Sequence, residues 1–162
     1  VIRIGSASKS LALCGWRLGW IVADEGLVRR CTAVQTGLLN PPATPPPPAL
    51  LALPGVPSSY AEANRREVQT RLQGLAEALR SAGLDAAVPA GGFYLWVDVR
   101  GRLDASTPDT AAWCERLAAE RGIGLWPGED FGAPGFVRLA LPRGDRWRAD
   151  LADLTRRLSS RS

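Results

Sequence analysis

The stretch Gly5–Trp20, "GSASKSLALCGWRLGW", decides how this chain is read. It holds Lys9, the one lysine among 20 basic residues; the other 19 are arginines. A guanidinium stays protonated and cannot form an imine, whereas an amine can lose its proton and attack an aldehyde. Arginine therefore cannot serve where covalent amine chemistry is needed. A solvated surface position would give the same lysine a plainer role, so its neighbours carry the decision. Ser6 and Ser8 flank Lys9 at alternate positions, and Arg17 follows within Gly15-Trp16-Arg17-Leu18-Gly19. Hydroxyls, a guanidinium and glycines that allow close backbone approach make a cradle for a phosphate. An imine-forming amine beside such a cradle suits a phosphorylated aldehyde.

The rest of the composition narrows the chemistry. The chain has 162 residues, 46% hydrophobic and 22% charged, which predicts a globular protein of one domain or pieces of two. The net charge of +4 comes from dispersed arginines interleaved with acids. Without a basic stripe carrying regularly spaced aromatics, no nucleic-acid partner is expected. The absence of histidine removes Ser-His-Asp and Cys-His catalysis and every histidine metal site from these residues. Cys14, Cys31 and Cys114 are odd in number and widely spaced, and are expected to be reduced, half-buried thiols of a cytoplasmic protein. No apolar run approaches membrane-spanning length, so no membrane partner is expected.

Patterning along the chain predicts its elements. Val1–Ile4 and the apolar run Leu18–Ala23 suit strands, the second a buried one, with residues 6–17 as a loop or bent turn between them. A helix is expected from Asp24, with apolar positions at Leu27, Cys31, Val34 and Leu38. "NPPATPPPPALLALPGVP", residues 40–57, is proline-dense and predicts a stiff linker. Ser59–Ala82 is the clearest helix: Ser59 as cap, Glu62 as its capping-box partner, a stripe of Val68, Leu72, Leu75, Ala76 and Leu79, and Gly83 as the stop. "LDAAV" predicts a short strand, Gly91-Gly92 a turn, and Phe93–Val99 a strong strand. Thr107 and Pro108 are expected to open a helix running to Glu120. "IGLW" and "FVRLAL" predict two strands around a loop, and Asp145–Leu158 a closing amphipathic helix. Helices packed on a small sheet give an α/β sandwich. Arg138 lies in an otherwise apolar strand, where an unpaired charge is costly, so a carboxylate partner is expected; an edge-strand cation facing water is the alternative. Tyr94 and Trp96 are expected to pack in the core. Trp126, Phe131 and Phe136 are expected to pack too, a pocket rim being the alternative.

The motifs resemble a known family. Ser6-x-Ser8-Lys9 followed by Gly15-x-Arg17-x-Gly19 is similar, at every specified position, to the lysine signature of the class I/II aminotransferases, the fold-type I pyridoxal-phosphate enzymes. "PAGGFYLWVDV", "GIGLWPGEDFG" and "GFVRLALP" resemble, in the same order, the family's Gly-aromatic-Tyr strand, its Pro-Gly-x-x-Phe-Gly loop and its late arginine strand. The resemblance spans roughly the whole chain. It implies a class I/II aminotransferase with pyridoxal 5'-phosphate as cofactor, moving an amino group between an amino acid and a 2-oxo acid, and a homodimer when complete. By matched position, Lys9 is similar to the Schiff-base lysine and proton shuttle, Ser6, Ser8 and Arg17 to phosphate ligands, and Arg138 to the arginine that holds the substrate α-carboxylate.

In the family a large cofactor domain precedes the lysine and supplies the acid at the pyridine nitrogen, the stacked aromatic and further phosphate ligands. The expectation is therefore a C-terminal portion: residues 1–40 as the end of the large domain, 41–58 as linker, and 59–162 as the small α/β domain. Residues 1–162 by themselves are expected to be inactive and to expose apolar surface at Val1–Ile4 and Leu18–Ala23. "TPPPP" departs from the family, which usually has a helix there, and puts the partner-subunit contact in question. A lyase or decarboxylase of the same fold and a non-catalytic truncated module are the alternative functions.

Overall fold

The computed structural model describes residues 1–38, 51–142 and 144–159. The proline run at 41–48 lies outside the described residues. The chain divides into two compact units, Val1–Arg65 and Arg66–Ser162.

In the first unit, β1 (Arg3–Ser6) and β2 (Gly19–Val22) pair antiparallel, with Arg3 opposite Val22 and Ser6 opposite Gly19. Between them run a one-turn helix, α1 (Ala7–Ser10), and a 3-10 turn at Cys14–Trp16. Gly5 faces Trp20 across the ladder, and any side chain at position 5 would overlap the indole. Helix α2 (Glu25–Leu38) starts where Asp24 accepts a bond from the Leu27 N–H at 2.9 Å, satisfying one of the free donors of its first turn. The strand expected at Leu18–Ala23 forms, but it is not buried within this chain. Among the described residues of this unit only Ala7 is buried; Ile4, Trp20 and Val22 are all exposed. A two-stranded ribbon with one helical turn has too little mass to cover its own faces.

The second unit has a real core. Helix α3 (Ser58–Ser81) carries Leu72, Leu75, Ala76 and Leu79 at helical spacing, all buried, with Val68 packed at the edge of the cluster. The helix begins at Ser58, so Ser59 lies inside it and cannot be its cap. The Glu62 carboxylate instead takes both Nε and Nη2 of Arg65, at 2.9 and 2.7 Å. Gly83, at φ +77, ends α3, and the Leu84 N–H reaches back to the Leu79 carbonyl at 3.0 Å. Residues 84–88 join no ladder, contrary to the strand expected there; the buried Leu84 and Ala86 pack on the core without cross-strand partners.

Three strands make an antiparallel sheet in the order β3 (Tyr94–Asp98), β5 (Phe136–Ala140), β4 (Trp126–Pro127). The central strand is therefore β5. Its Val137 and Leu139, with Leu95 and Val97 of β3, face the core shared with α3, α4 (Thr110–Arg121) and α5 (Trp147–Ser159). The alternate residues Tyr94, Trp96, Asp98, Phe136 and Arg138 line the opposite face. Helix α4 is capped by Asp109, whose Oδ1 accepts from the Ala112 N–H at 2.8 Å, and not by Thr107. Thr107 is drawn into a turn organised by Asp104, which accepts from the backbone and hydroxyls of Ser106 and Thr107. Those bonds hold the Asp104 carboxyl well below the usual carboxylate range, the Ser106 hydroxyl making the largest contribution. All three cysteines are free thiols: Cys14 exposed, Cys31 half-buried and Cys114 buried.

Gly128 starts the loop between β4 and β5 and has the tightest surroundings of that loop. A Cβ there would overlap the backbone carbonyl oxygens of Ala133 and Phe136. Gly128→Ala should cost about 1–3 kcal/mol, because backbone cannot move aside as a side-chain end can. Gly124→Ala, at a position with nothing within 4 Å, should leave stability within about 0.5 kcal/mol. Denaturant unfolding of the two variants checks the contrast.

Candidate functional site

The turn between β1 and β2 gathers the residues expected to hold a cofactor. Ser6 caps α1: its Oγ accepts from the Ser8 N–H at 3.1 Å and donates to the Leu18 carbonyl at 3.2 Å. The Ala7 N–H bonds the same carbonyl at 3.1 Å, closing the base of the turn. Lys9 rides on this short helix with its side chain exposed, and its Nζ donates to the Cys14 sulfur at 3.5 Å. The Cys14 thiol in turn donates to the Ser8 carbonyl at 3.0 Å. Arg17 adopts the left-handed region at φ +52, and its Nη1 donates to the Cys14 carbonyl at 3.3 Å. Cys14 thus touches both the amine and the guanidinium, a link that sequence reading missed. Nothing in a wide cysteine spacing signals such a contact.

The donor set fits a phosphorylated aldehyde. One amine can make an imine, and hydroxyl and guanidinium donors from the same turn suit a phosphate dianion. Gly5–Trp20 contains no acidic residue to oppose that charge.

The second cluster surrounds Arg138 on the outer face of the three-stranded sheet. Trp96, Arg138 and Trp126 lie abreast across β3, β5 and β4. The Arg138 guanidinium carbon lies 4.4 Å from the ring centre of Phe131, 4.5 Å from that of Tyr94 and 5.2 Å from that of Trp126. Such contacts attract a cation to the negative ring faces. The strand is central, so the edge-strand alternative does not hold. Tyr94 and Trp96 are 37% and 40% exposed and belong to this face, which corrects the expectation that they pack in the core. Both share strand parity opposite to Leu95 and Val97, the signal from which their side could have been read. Trp126 and Phe131 rim Arg138. Phe136 stacks on Trp96 with centroids 5.9 Å apart, and Arg100 lies over it.

The rim is held from behind by α4. The buried Thr110 donates its N–H to Glu129 Oε1 at 3.1 Å and accepts the Gly135 N–H on its Oγ1 at 2.7 Å. Both ends of the loop carrying Phe131 are therefore tied to the helix start, where a carboxylate is favoured. Asp130 accepts the Trp126 Nε1–H at 2.7 Å and fixes that indole. Below the loop, burial and the Glu129 charge push the Cys114 thiol up to about 11, so it stays protonated and unreactive.

A sequence profile for the family described as aminotransferase class I and II matches residues 1–153. The chain belongs to that family. It is 32% identical over 140 residues to the aspartate aminotransferase of Thermotoga maritima, covering 86% of this chain and 34% of that relative. It is also 32% identical over 152 residues to the valine–pyruvate aminotransferase of Mycobacterium tuberculosis, covering 89% of this chain and 38% of the relative. The solved structure of Thermus thermophilus aspartate aminotransferase with maleate overlays with a TM-score of 0.78 at 27% identity, covering 98% of this chain and 40% of that one. The chain thus spans little more than a third of the length of these curated relatives. Nothing in the matches favours a lyase or decarboxylase.

Thr110→Val should cost about 1–3 kcal/mol, because the buried Gly135 N–H loses its acceptor. Thr110→Ser keeps the hydroxyl and should retain most of that stability. Denaturant midpoints for the pair measure the bond.

Proposed function

We propose that this chain carries the lysine turn and the carboxylate-binding face of a pyridoxal-phosphate-dependent aminotransferase, which moves an amino group from an amino acid to a 2-oxo acid. The observation that carries the reading is the turn itself: the one lysine of the chain, on a helical turn capped by Ser6 and linked through Cys14 to Arg17. Ser6, Ser8 and Arg17 would hold the cofactor phosphate, and Lys9 its aldehyde carbon. When bound, pyridoxal phosphate supplies the aldehyde and an electron sink for the bond broken at the substrate Cα. The Lys9 amine would take the proton from the substrate Cα as general base and, once protonated, would return it to carbon as general acid. The Arg138 fork would receive the substrate α-carboxylate through paired charge-assisted hydrogen bonds. The same reading takes the working protein to be a homodimer, as the resemblance implies, and a cytoplasmic one, as three free thiols suggest.

Borohydride reduction of the cofactor-loaded protein, followed by digestion and mass spectrometry, should place the cofactor mass on Lys9. Lys9→Arg should abolish amino transfer although the charge is kept. Cofactor mass on any other peptide would overturn the assignment.

Arg138→Ala should weaken transition-state binding by about 2–5 kcal/mol for amino acids, largely through the substrate charge left unpaired, and spare amines that lack a carboxylate. Arg138→Lys should recover only part, since a point charge cannot reproduce a planar fork. Steady-state kinetics on both substrate types separates this from a folding defect, which would lower the two equally.

A further inference from the structure

Amino transfer makes no use of the Cys14 thiol, yet the fold of the lysine turn brings it to the reacting amine. The Lys9 Nζ lies 3.5 Å from the Cys14 sulfur, and the thiol also bonds the Ser8 carbonyl at 3.0 Å. The backbone prepares this approach. Ala12 stands at φ +57 and turns the chain back, and the Leu13 N–H bonds the Ala7 carbonyl at 3.3 Å. A thiol and an amine five positions apart in the chain are thereby held in contact. The other two cysteines are placed differently: Cys31 is half-buried on α2, and Cys114 is buried with its thiol raised to about 11. If Lys9 is the imine lysine, an aldehyde and an amino acid must both reach its nitrogen. A hydroperoxide, smaller than either, then reaches a sulfur in contact with that nitrogen.

We propose that Cys14 and Lys9 form a redox modification site, at which a hydroperoxide joins the sulfur to the nitrogen and so withdraws the amine from imine formation. The bond rests on the contact between the two side chains; its consequence rests on the reading of Lys9 as the imine lysine. In the first step the Cys14 sulfur attacks the peroxide and the O–O bond breaks. One oxygen stays on sulfur as a sulfenic acid, and the other leaves as water or alcohol with the thiol proton. Sulfur is oxidised and the peroxide reduced. In the second step the Lys9 nitrogen attacks that sulfur. The S–N bond forms, the S–O bond breaks, and the hydroxyl leaves as water with an amine proton. The protein has then lost two hydrogens and kept no oxygen. The neighbouring amine wins over further oxidation because it is already in contact, which makes the second step intramolecular. A dithiol reverses the bond: one thiolate attacks the Cys14 sulfur and displaces the amine, which takes up a proton, and the second thiolate releases Cys14 as a thiol.

The test reads the bond by mass. The chain is treated with hydrogen peroxide, remaining thiols are blocked with iodoacetamide, and the protein is digested with trypsin. Trypsin cuts after Arg3, Lys9 and Arg17, so the untreated chain gives one peptide ending at Lys9 and another, residues 10–17, with an alkylated Cys14. The joined chain should give residues 4–17 uncut, lighter by two hydrogens and without alkylation at Cys14. Dithiothreitol before digestion should restore both peptides. Cys31 and Cys114 should stay alkylatable at the same peroxide dose, Cys114 once the chain is unfolded. Cys14→Ser should abolish the uncut peptide. So should Lys9→Arg, in which dimedone should trap the sulfenic acid on Cys14 instead. Normal cleavage after Lys9 with Cys14 carrying oxygen, Cys14 in a disulfide, or Cys14 left as a thiol while Cys31 is oxidised would each overturn the site. Pyridoxal phosphate with cyanoborohydride, added before or after peroxide, separates the bond from its consequence. The joined chain should lose the cofactor mass on Lys9 and regain it after dithiothreitol. If the lighter uncut peptide forms but the cofactor mass lies on another peptide even before peroxide, the reading of Lys9 falls and the modification site stands.

Discussion

A guanidinium in the middle strand of a three-stranded sheet is the constraint from which the second unit is organised. Arg138 sits between Val137 and Leu139, both buried, so strand alternation turns it to the outer face. Strands on both sides of β5 deny it the open edge where a cation can simply reach water. The surrounding face is therefore built to suit it. Tyr94 and Trp96 come from one neighbouring strand, Trp126 from the other and Phe131 from the loop between. Three ring centres lie 4.4 to 5.2 Å from the Arg138 guanidinium carbon, and a planar fork of N–H donors matches the geometry of a carboxylate.

Holding that arrangement falls to a loop with little freedom. Gly128 lets two carbonyls approach where a Cβ would not fit, and Thr110 ties both the start and the end of the loop to the first turn of α4. Two hydrogen bonds from one buried threonine therefore fix the position of Phe131 and Asp130, and through Asp130 the Trp126 indole. Behind the loop, burial first and the Glu129 charge second raise the Cys114 thiol above its ordinary value.

Local patterns in the sequence carried much of this and missed what depends on distant partners. The α3 stripe, the Gly83 stop, the strands near Tyr94 and Phe136 and the closing helix follow from periodicity and from glycine's access to positive φ. The cap at Ser59 failed because the helix takes one more residue at its start, and boundaries within a turn are decided by small energies. Thr107 looked like a cap because Pro108 follows it, but the Asp104 turn offered its hydroxyl and N–H a better acceptor. The short strand at 84–88 had strand-like composition but no neighbour to bond. Tyr94 and Trp96 were expected in the core, but their parity opposite to Leu95 and Val97 puts them on the outer face, where they pair with Ala140 and Arg138.

The lysine turn obeys a different economy. Within these residues it has one buried side chain among those described, and local hydrogen bonds carry its shape. Yet Ala12 and Arg17 both stand at positive φ, at 57 and 52, a conformation that costs a non-glycine residue about 1–3 kcal/mol. The compensation is a dense set of hydrogen bonds on a few acceptors. The Leu18 carbonyl takes the Ser6 hydroxyl and the Ala7 N–H, the Ala7 carbonyl takes the Leu11 and Leu13 N–H groups, and Cys14 bridges Ser8, Lys9 and Arg17. Left-handed geometry at Arg17 reverses the chain after the 3-10 turn and returns it to β2 in register with β1. Strain at that residue is thus the means by which Arg17 and Lys9, eight positions apart in the chain, come to contact the same cysteine.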